Sequence, residues 1–149
     1  MIQWKAKFVD EGERLAKAFR RATYRTLERL GFKIRAAAQK SIKDAGWRPS
    51  PPGEPPHTHT KITKARSKIG KARAGKLPAS ILYGLDKESM SVFVGPSVNV
   101  VGTVGAAFEH EGTQSFRGQE FPARPFMGPA LGEEIGELPG LLAEEYGKV

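Results

Sequence analysis

From Asp10 to Lys43 the apolar residues Leu15, Phe19, Leu27, Leu30, Ile34, Ala38 and Ile42 recur mostly at three- and four-residue steps, with Arg and Lys between them. That is the period of one face of an α-helix. Asp10 followed by Glu13 has the form of a capping box, and Gly46 with Pro49 beyond it supplies a stop. Gly31 lies inside and costs about 1 kcal/mol relative to alanine, which marks it as a place for a kink. A helix of about 33 residues is about 50 Å long, more than the core of a small domain covers. Part of it therefore has to pack on something else.

Residues 47–78, WRPSPPGEPPHTHTKITKARSKIGKARAGKLP, change character. The prolines from Pro49 to Pro56 predict extended, polyproline-like chain. The basic part that follows has only Ile62 and Ile69 as bulky apolar residues, too few to fold alone. The stretch reads as a long mobile loop that is functional or orders on a partner.

The period then becomes two. Leu77, Ala79, Ile81, Tyr83 and Leu85 share one face, Asp86 to Ser89 can turn, and Met90, Val92 and Val94 alternate after it, predicting a β-hairpin. Val98 to Val104 fits a strand or a loop, and residues 105–113 fit a strand or a short helical turn. The tail from Pro129 reads as helix through Leu131, Ile135, Leu138 and Leu142, with a kink or break at Pro139. The fold class expected is α+β, with a long amino-terminal amphipathic helix and a carboxy-terminal helix packed on a small antiparallel sheet. At 149 residues the chain makes one domain, 1–149, with 47–78 as a loop within it.

Between sheet and tail runs FPARPFMGPALGEE, Phe121 to Glu134. Pro122 and Pro125 fix their own φ and restrict Phe121 and Arg124 before them, so one arginine is displayed at low entropic cost. Phe121 and Phe126 are expected to anchor the segment, and Glu133 and Glu134 to sit at the positive end of a helix started by Pro129. For Arg124 two roles stay open, a buried ion pair, for example with Glu111, and a contact between subunits.

Charge sharpens this picture. Up to Lys76 there are 20 basic against 6 acidic side chains, and beyond it 4 against 10. Halves of opposite sign suit nucleic-acid contact by the basic half, docking of one copy's basic surface on another's acidic one, or simply a solvated basic helix face. No apolar run approaches the roughly 18 residues of a membrane span, and the amino terminus lacks the apolar block of a secretory signal. The expectation is a soluble protein without membrane contact. With no cysteine, disulfides, thiolate zinc sites and a cysteine nucleophile are excluded.

Candidate chemistry is sparse. GKARAGKL, Gly70 to Leu77, nearly matches a P-loop, but Leu77 stands where a magnesium-binding hydroxyl is needed, and Pro78 blocks the phosphate-holding helix. His57 and His59 lie in the proline-rich stretch, far in sequence from Glu109, His110 and Glu111, so no converging metal set is expected. A hydrolytic use of Glu109, His110 and Glu111 is the weakest reading. Arg48 beside the prolines resembles an SH3 ligand, a pattern more often a spacer. The basic run Lys61, Lys64, Arg66, Lys68, Lys71, Arg73 suits a partner-binding loop, for phosphates or an acidic protein surface, and has no aromatic residue to stack bases. The expectation is a non-enzyme without cofactor or metal.

Three segments together resemble a known family. They are SPPGEPP, Ser50 to Pro56; the strand entry Gly75, Leu77, Ser80 and Ile81 with VFVGP at Val92 to Pro96; and Glu111, Gly112 and Thr113 followed by FPARPFMGPAL, Phe121 to Leu131. In order and spacing, over roughly residues 50–131, they are similar to the tail-completion, or head-to-tail joining, proteins of long-tailed bacteriophages. The resemblance implies a tail-terminator-like fold assembled as a ring, usually hexameric, that joins the tail tube to head-connector or stopper proteins, with DNA passing through the channel. It implies no catalysis, no cofactor, and a place in the neck or tail of a virion made in the bacterial host cytoplasm. Arg124, Pro125, Phe126, Glu111, Gly112 and Thr113 then become the assembly signature. The basic insertion between PPGEPP and GKLPAS is longer than the family leads one to expect. The alternative from another class is a small basic nucleic-acid-binding protein.

Overall fold

The computed structural model describes residues 2–45, 48, 50–58, 77–110, 113–116 and 119–149. Helix α1 runs Ile2–Ser41, 40 residues and about 60 Å. The one-turn helix α2 (Leu77–Ser80) leads into β1 (Ile81–Asp86) and β2 (Ser91–Pro96), and the short helices α3 (Val98–Val101) and α4 (Val104–Glu109) follow. A second hairpin, β3 (Thr113–Phe116) and β4 (Gln119–Pro122), precedes α5 (Met127–Glu134), a 3-10 turn (Ile135–Glu137) and α6 (Leu138–Tyr146). The class is α+β, a long amino-terminal helix and carboxy-terminal helices with small antiparallel sheets.

The four-residue stripe on α1 works as the sequence suggests, but only along part of its length. Leu30, Ile34, Ala38 and Ile42 are buried and cluster with Ile81, Phe126, Ala130 and Leu141. Four residues overshoot the 3.6-residue turn by about 40°, so the stripe winds around the helix. It meets α6 at Thr26, whose buried hydroxyl donates to Ala22 O (3.1 Å) and lies 3.4 Å from Leu141 O. Farther on, Arg35 Nε donates to Ile81 O (2.9 Å) and Gln39 Nε2 to Pro78 O (2.9 Å), fixing the entry to β1. From Glu11 to Arg21, by contrast, every side chain is exposed except the half-buried Ala18.

Several boundaries differ from expectation, each for a local reason. The helix begins eight residues before Asp10, so Asp10 and Glu13 lie inside it and not at its start. Gly31 does not interrupt α1. A Cβ there would lie 2.6 Å from Val92 Cγ2 and 3.1 Å from Tyr83 Cδ2, so the glycine is what lets helix and hairpin approach. Leu77 to Ser80 form a helical turn instead of strand, with Ser80 Oγ donating to Leu77 O (2.7 Å). The alternation holds from Ile81 on. In the register Ile81↔Pro96, Tyr83↔Val94 and Leu85↔Val92 share the inner face, while Leu82 and Phe93 on the outer face are 52% and 65% exposed. Asp86 closes the turn, accepting from Glu88 N (2.9 Å) and Ser89 Oγ (2.6 Å), and Tyr24 Oη ties it to α1 through Lys87 O (2.6 Å).

Residues 98–101, open between strand and loop, are helical; of residues 105–113, those to Glu109 belong to a helix and Thr113 begins the second hairpin. The last helical region starts at Met127, two residues before Pro129, and breaks where expected: the 3-10 turn leads to Pro139 in the first turn of α6. Glu133 and Glu134 consequently stand at the carboxy-terminal end of α5, not its positive end. Their stretch meets basic α1 instead. Lys33 Nζ pairs with Glu137 and lies 3.9 Å from Glu134 Oε2. Arg29 Nη1 is 2.9 Å from Glu144 Oε2 and 3.2 Å from Glu145 Oε1, Arg25 is 3.8 Å from Glu145, and Lys148 closes on both glutamates at 2.9 and 2.7 Å. Part of the polarity between the halves, at Arg25, Arg29 and Lys33, is thus matched inside one chain.

Two predictions follow from this packing. Gly31→Ala should lower stability by about 1–3 kcal/mol in denaturant unfolding despite alanine's better helix propensity, and Val92→Ala in the same chain should recover part of the loss. Lys148, more than Arg29, holds the Glu144 carboxyl below its usual range, and Lys148 likewise lowers Glu145. A depressed carboxylate contributes stability above its unfolded pKa and loses it as pH falls through the folded value. The thermal midpoint should therefore drop below about pH 4.5, and Glu144→Gln with Glu145→Gln should flatten that part of the pH profile.

Candidate functional site

The opening of the proline-rich stretch is a built element. Pro51 O accepts from Glu54 N (3.2 Å), and Gly53 has φ 81°, so Pro52 and Gly53 occupy the two central positions that a tight turn with a left-handed second residue asks of them. Ser50, Pro56 and Thr58 are buried. Thr58 bridges in parallel to Asp44, its N–H donating to Lys43 O (2.8 Å) and its carbonyl accepting from Ala45 N (3.2 Å). This part of the predicted mobile loop is therefore packed chain. His57 Nδ1 lies 3.3 Å from Arg48 O, a backbone partner. His59 and the basic residues Lys61, Lys64, Arg66, Lys68, Lys71 and Arg73 lie outside the described residues, as do Glu111 and Gly112.

Arg124 closes over that turn. Its Nε donates to Ser50 O (3.1 Å) and its Nη1 lies 3.4 Å from Pro122 O, while its backbone N–H donates to Phe108 O (2.9 Å). The preceding carbonyl, Ala123 O, accepts from Gly53 N (2.9 Å). Half-buried, the guanidinium thus meets carbonyls among the described residues, where a carboxylate was one of the two expectations. Pro125 beside it is half-buried, Phe126 is wholly buried in the chain's own core, and Thr113 opens β3 opposite Pro122. Of the expected assembly signature, Phe126 is spent on packing, and Arg124 joins two distant stretches of its own backbone.

Sequence reasoning missed the carboxylate that organises this joint. Glu109 Oε1 accepts from Phe126 N (2.8 Å) and Met127 N (2.6 Å), and Oε2 from Gly128 N (3.1 Å). Pro129 has no N–H, so one side chain satisfies all three free donors at the start of α5. Both its oxygens accept at the start of α5. The available signal was an amino-terminal turn lacking a Ser, Thr, Asp or Asn cap, with Phe126 in that place. Among the described residues no group of three or more His, Asp or Glu is placed to hold a metal ion.

An apolar groove of about 590 Å³ opens elsewhere on the surface. Leu27, Leu30 and Ile34 of α1 form its floor, β2 from Ser91 to Val94 one wall, and Met127, Leu131 and Ile135 the other. Leu131 and Ile135 are 47% and 44% exposed at its rim. No helix among the described residues is long and apolar enough to cross a membrane. Neither protein-family models, nor curated proteins, nor solved structures give a match to this chain.

Glu109→Ala should destabilise the fold by about 1–2 kcal/mol, since it strips the start of α5 of its cap. Glu109→Gln, which keeps an acceptor, should cost less, and both are read by thermal unfolding. Arg124→Lys, which loses the directional Nε contact, should raise hydrogen exchange at Gly53 and Arg124 more than at β1.

Proposed function

We propose that this chain is a structural subunit of a virion neck or tail, one that assembles with copies of itself into a ring completing the tail and joining it to the head connector. The observation that carries the reading is α1. Its inner half is the spine of the fold, whereas from Glu11 to Arg21 a continuous helix runs on with Leu15 51% and Phe19 38% exposed. An amphipathic stripe that continues past the body of its own chain is a surface for another molecule.

Two further features support it. The stretches behind the resemblance to tail-completion proteins meet in space, Ser50 and Gly53 against Arg124 and Ala123, and Ile81 with Phe126 in one core. Ser80 O also accepts from Ser97 N (2.8 Å), joining the strand entry to the end of VFVGP. Such joints give a rigid body for assembly, and the proposed role is structural, with no call on catalysis, cofactor or metal. Ring partners would be the tail tube and the connector or stopper proteins, with non-specific DNA contact in the channel.

Electron microscopy and light scattering of the purified protein, alone and with tail tubes, should show closed rings. A protein that stays monomeric at high concentration and with tubes, yet binds duplex DNA with a steep salt dependence, would overturn this in favour of a small basic nucleic-acid-binding protein.

A further inference from the structure

The apolar groove and the projecting half of α1 are complementary, and the geometry points to a specific contact: the groove of one copy receives the amino-terminal half of α1 from a second copy. This deepens the assembly reading and rests on it for the identity of the partner, though not for the existence of the contact. The groove floor extends from Leu27 to Ile34, about 10.5 Å or two helical turns. Leu15, Ala18 and Phe19 place apolar side chains at i, i+3 and i+4, the spacing with which a helix seats in such a groove. One edge of Phe19 already packs on Tyr146, with ring centroids 5.1 Å apart, leaving Leu15 as the free anchor.

A chain cannot fill its own groove this way. The floor and the projecting half belong to one unbroken helix, so Leu15 stays about 18 Å along the axis from Leu27 and cannot fold back onto it. Charge agrees with a second copy as the occupant. Arg14, Arg20 and Arg21 on the projecting half take part in no ion pair among the described residues, whereas Lys17 pairs with Glu13. The segment that forms the groove wall also carries Glu134 and Glu137, which share Lys33 as their ion-pair partner among the described residues. A basic amphipathic helix and an apolar groove with an acidic flank are matched in sign as well as in shape.

Because the chain has no cysteine, the contact can be read by disulfide trapping of full-length variants. Leu15→Cys and Leu131→Cys proteins, mixed and oxidised, should form the mixed 15–131 dimer in clear excess over either like-with-like dimer. Glu54→Cys, on an exposed turn away from the groove, should not replace Leu131→Cys in this assay. Leu15→Asp should weaken self-association about tenfold or more, while circular dichroism shows its helix content unchanged, since the position is exposed. Rings that form normally from Leu15→Asp, with no preference for the 15–131 link, would overturn this contact and leave ring assembly standing. A preferred 15–131 link in a protein that makes only dimers or open chains would keep the contact and overturn the ring. A wild-type protein that is monomeric, together with cysteine variants that show no 15–131 preference, would overturn both.

Discussion

The distance between α1 and the first hairpin depends on a missing side chain. At Gly31 the helix lies so near Val92 and Tyr83 that a Cβ would stand 2.6 Å from a methyl group. Two other features depend on that closeness. It presses the inner face of β1 and β2 against the same helix that carries α5 and α6, so one stripe can serve both layers. It also sets the depth of the groove, whose floor residues Leu27, Leu30 and Ile34 flank the glycine. A residue that costs helix propensity is retained where backbone approach outweighs it.

The carboxy-terminal layer is held by polar contacts as much as by burial. Its helices present Glu134, Glu137, Glu144 and Glu145 to Lys33, Arg29 and Arg25. Most of these groups remain in contact with water, so each pair alone is weak. Their value lies in register: with Thr26 bonded to Leu141 O and Thr23 Oγ1 2.9 Å from Tyr146 Oη, they leave α6 one way to lie along α1. In sequence alone, the opposite polarity of the two halves fits nucleic-acid contact, docking between copies or a solvated helix face. Within the fold, part of that polarity orients the chain against itself, through Arg25, Arg29 and Lys33.

How much of this could be read from the sequence depended on the range of the interaction. The α1 stripe and the alternation from Ile81 to Val94 are local periodicities, and they gave the α+β class, the long helix, the hairpin and the break at Pro139. The helical turn at Leu77 to Ser80 was misread because LPASI also alternates; Gln39 and a side-chain bond within the turn decide it. The second hairpin was missed because its four-residue strands carry little periodic signal. The partners of Arg124 and the role of Glu109 were illegible for a different reason. Ser50 lies 74 residues from Arg124, Phe126 17 from Glu109, and neither acceptor nor donor betrays its partner by type. At the candidate site the sequence found the arginine and a neighbouring glutamate, and assigned neither its partner.

The continuity of α1 constrains assembly. A helix that is spine at one end and projection at the other places its free apolar face at a fixed angle and distance from the groove it floors. Any contact joining the two on different copies is heterologous, head to tail, because the donor patch and the acceptor patch are different surfaces. Such a contact leaves each subunit with one patch used and one free, so growth stops only when the rotation per subunit closes a ring; otherwise it continues as a filament. The rotation is set by the crossing of the guest helix over Leu27, Leu30 and Ile34, and hence by the same close packing at Gly31 that fixes the core. Stability of the subunit and geometry of the assembly are then two readings of one helix, and a change that tilts α1 against its hairpin alters both together.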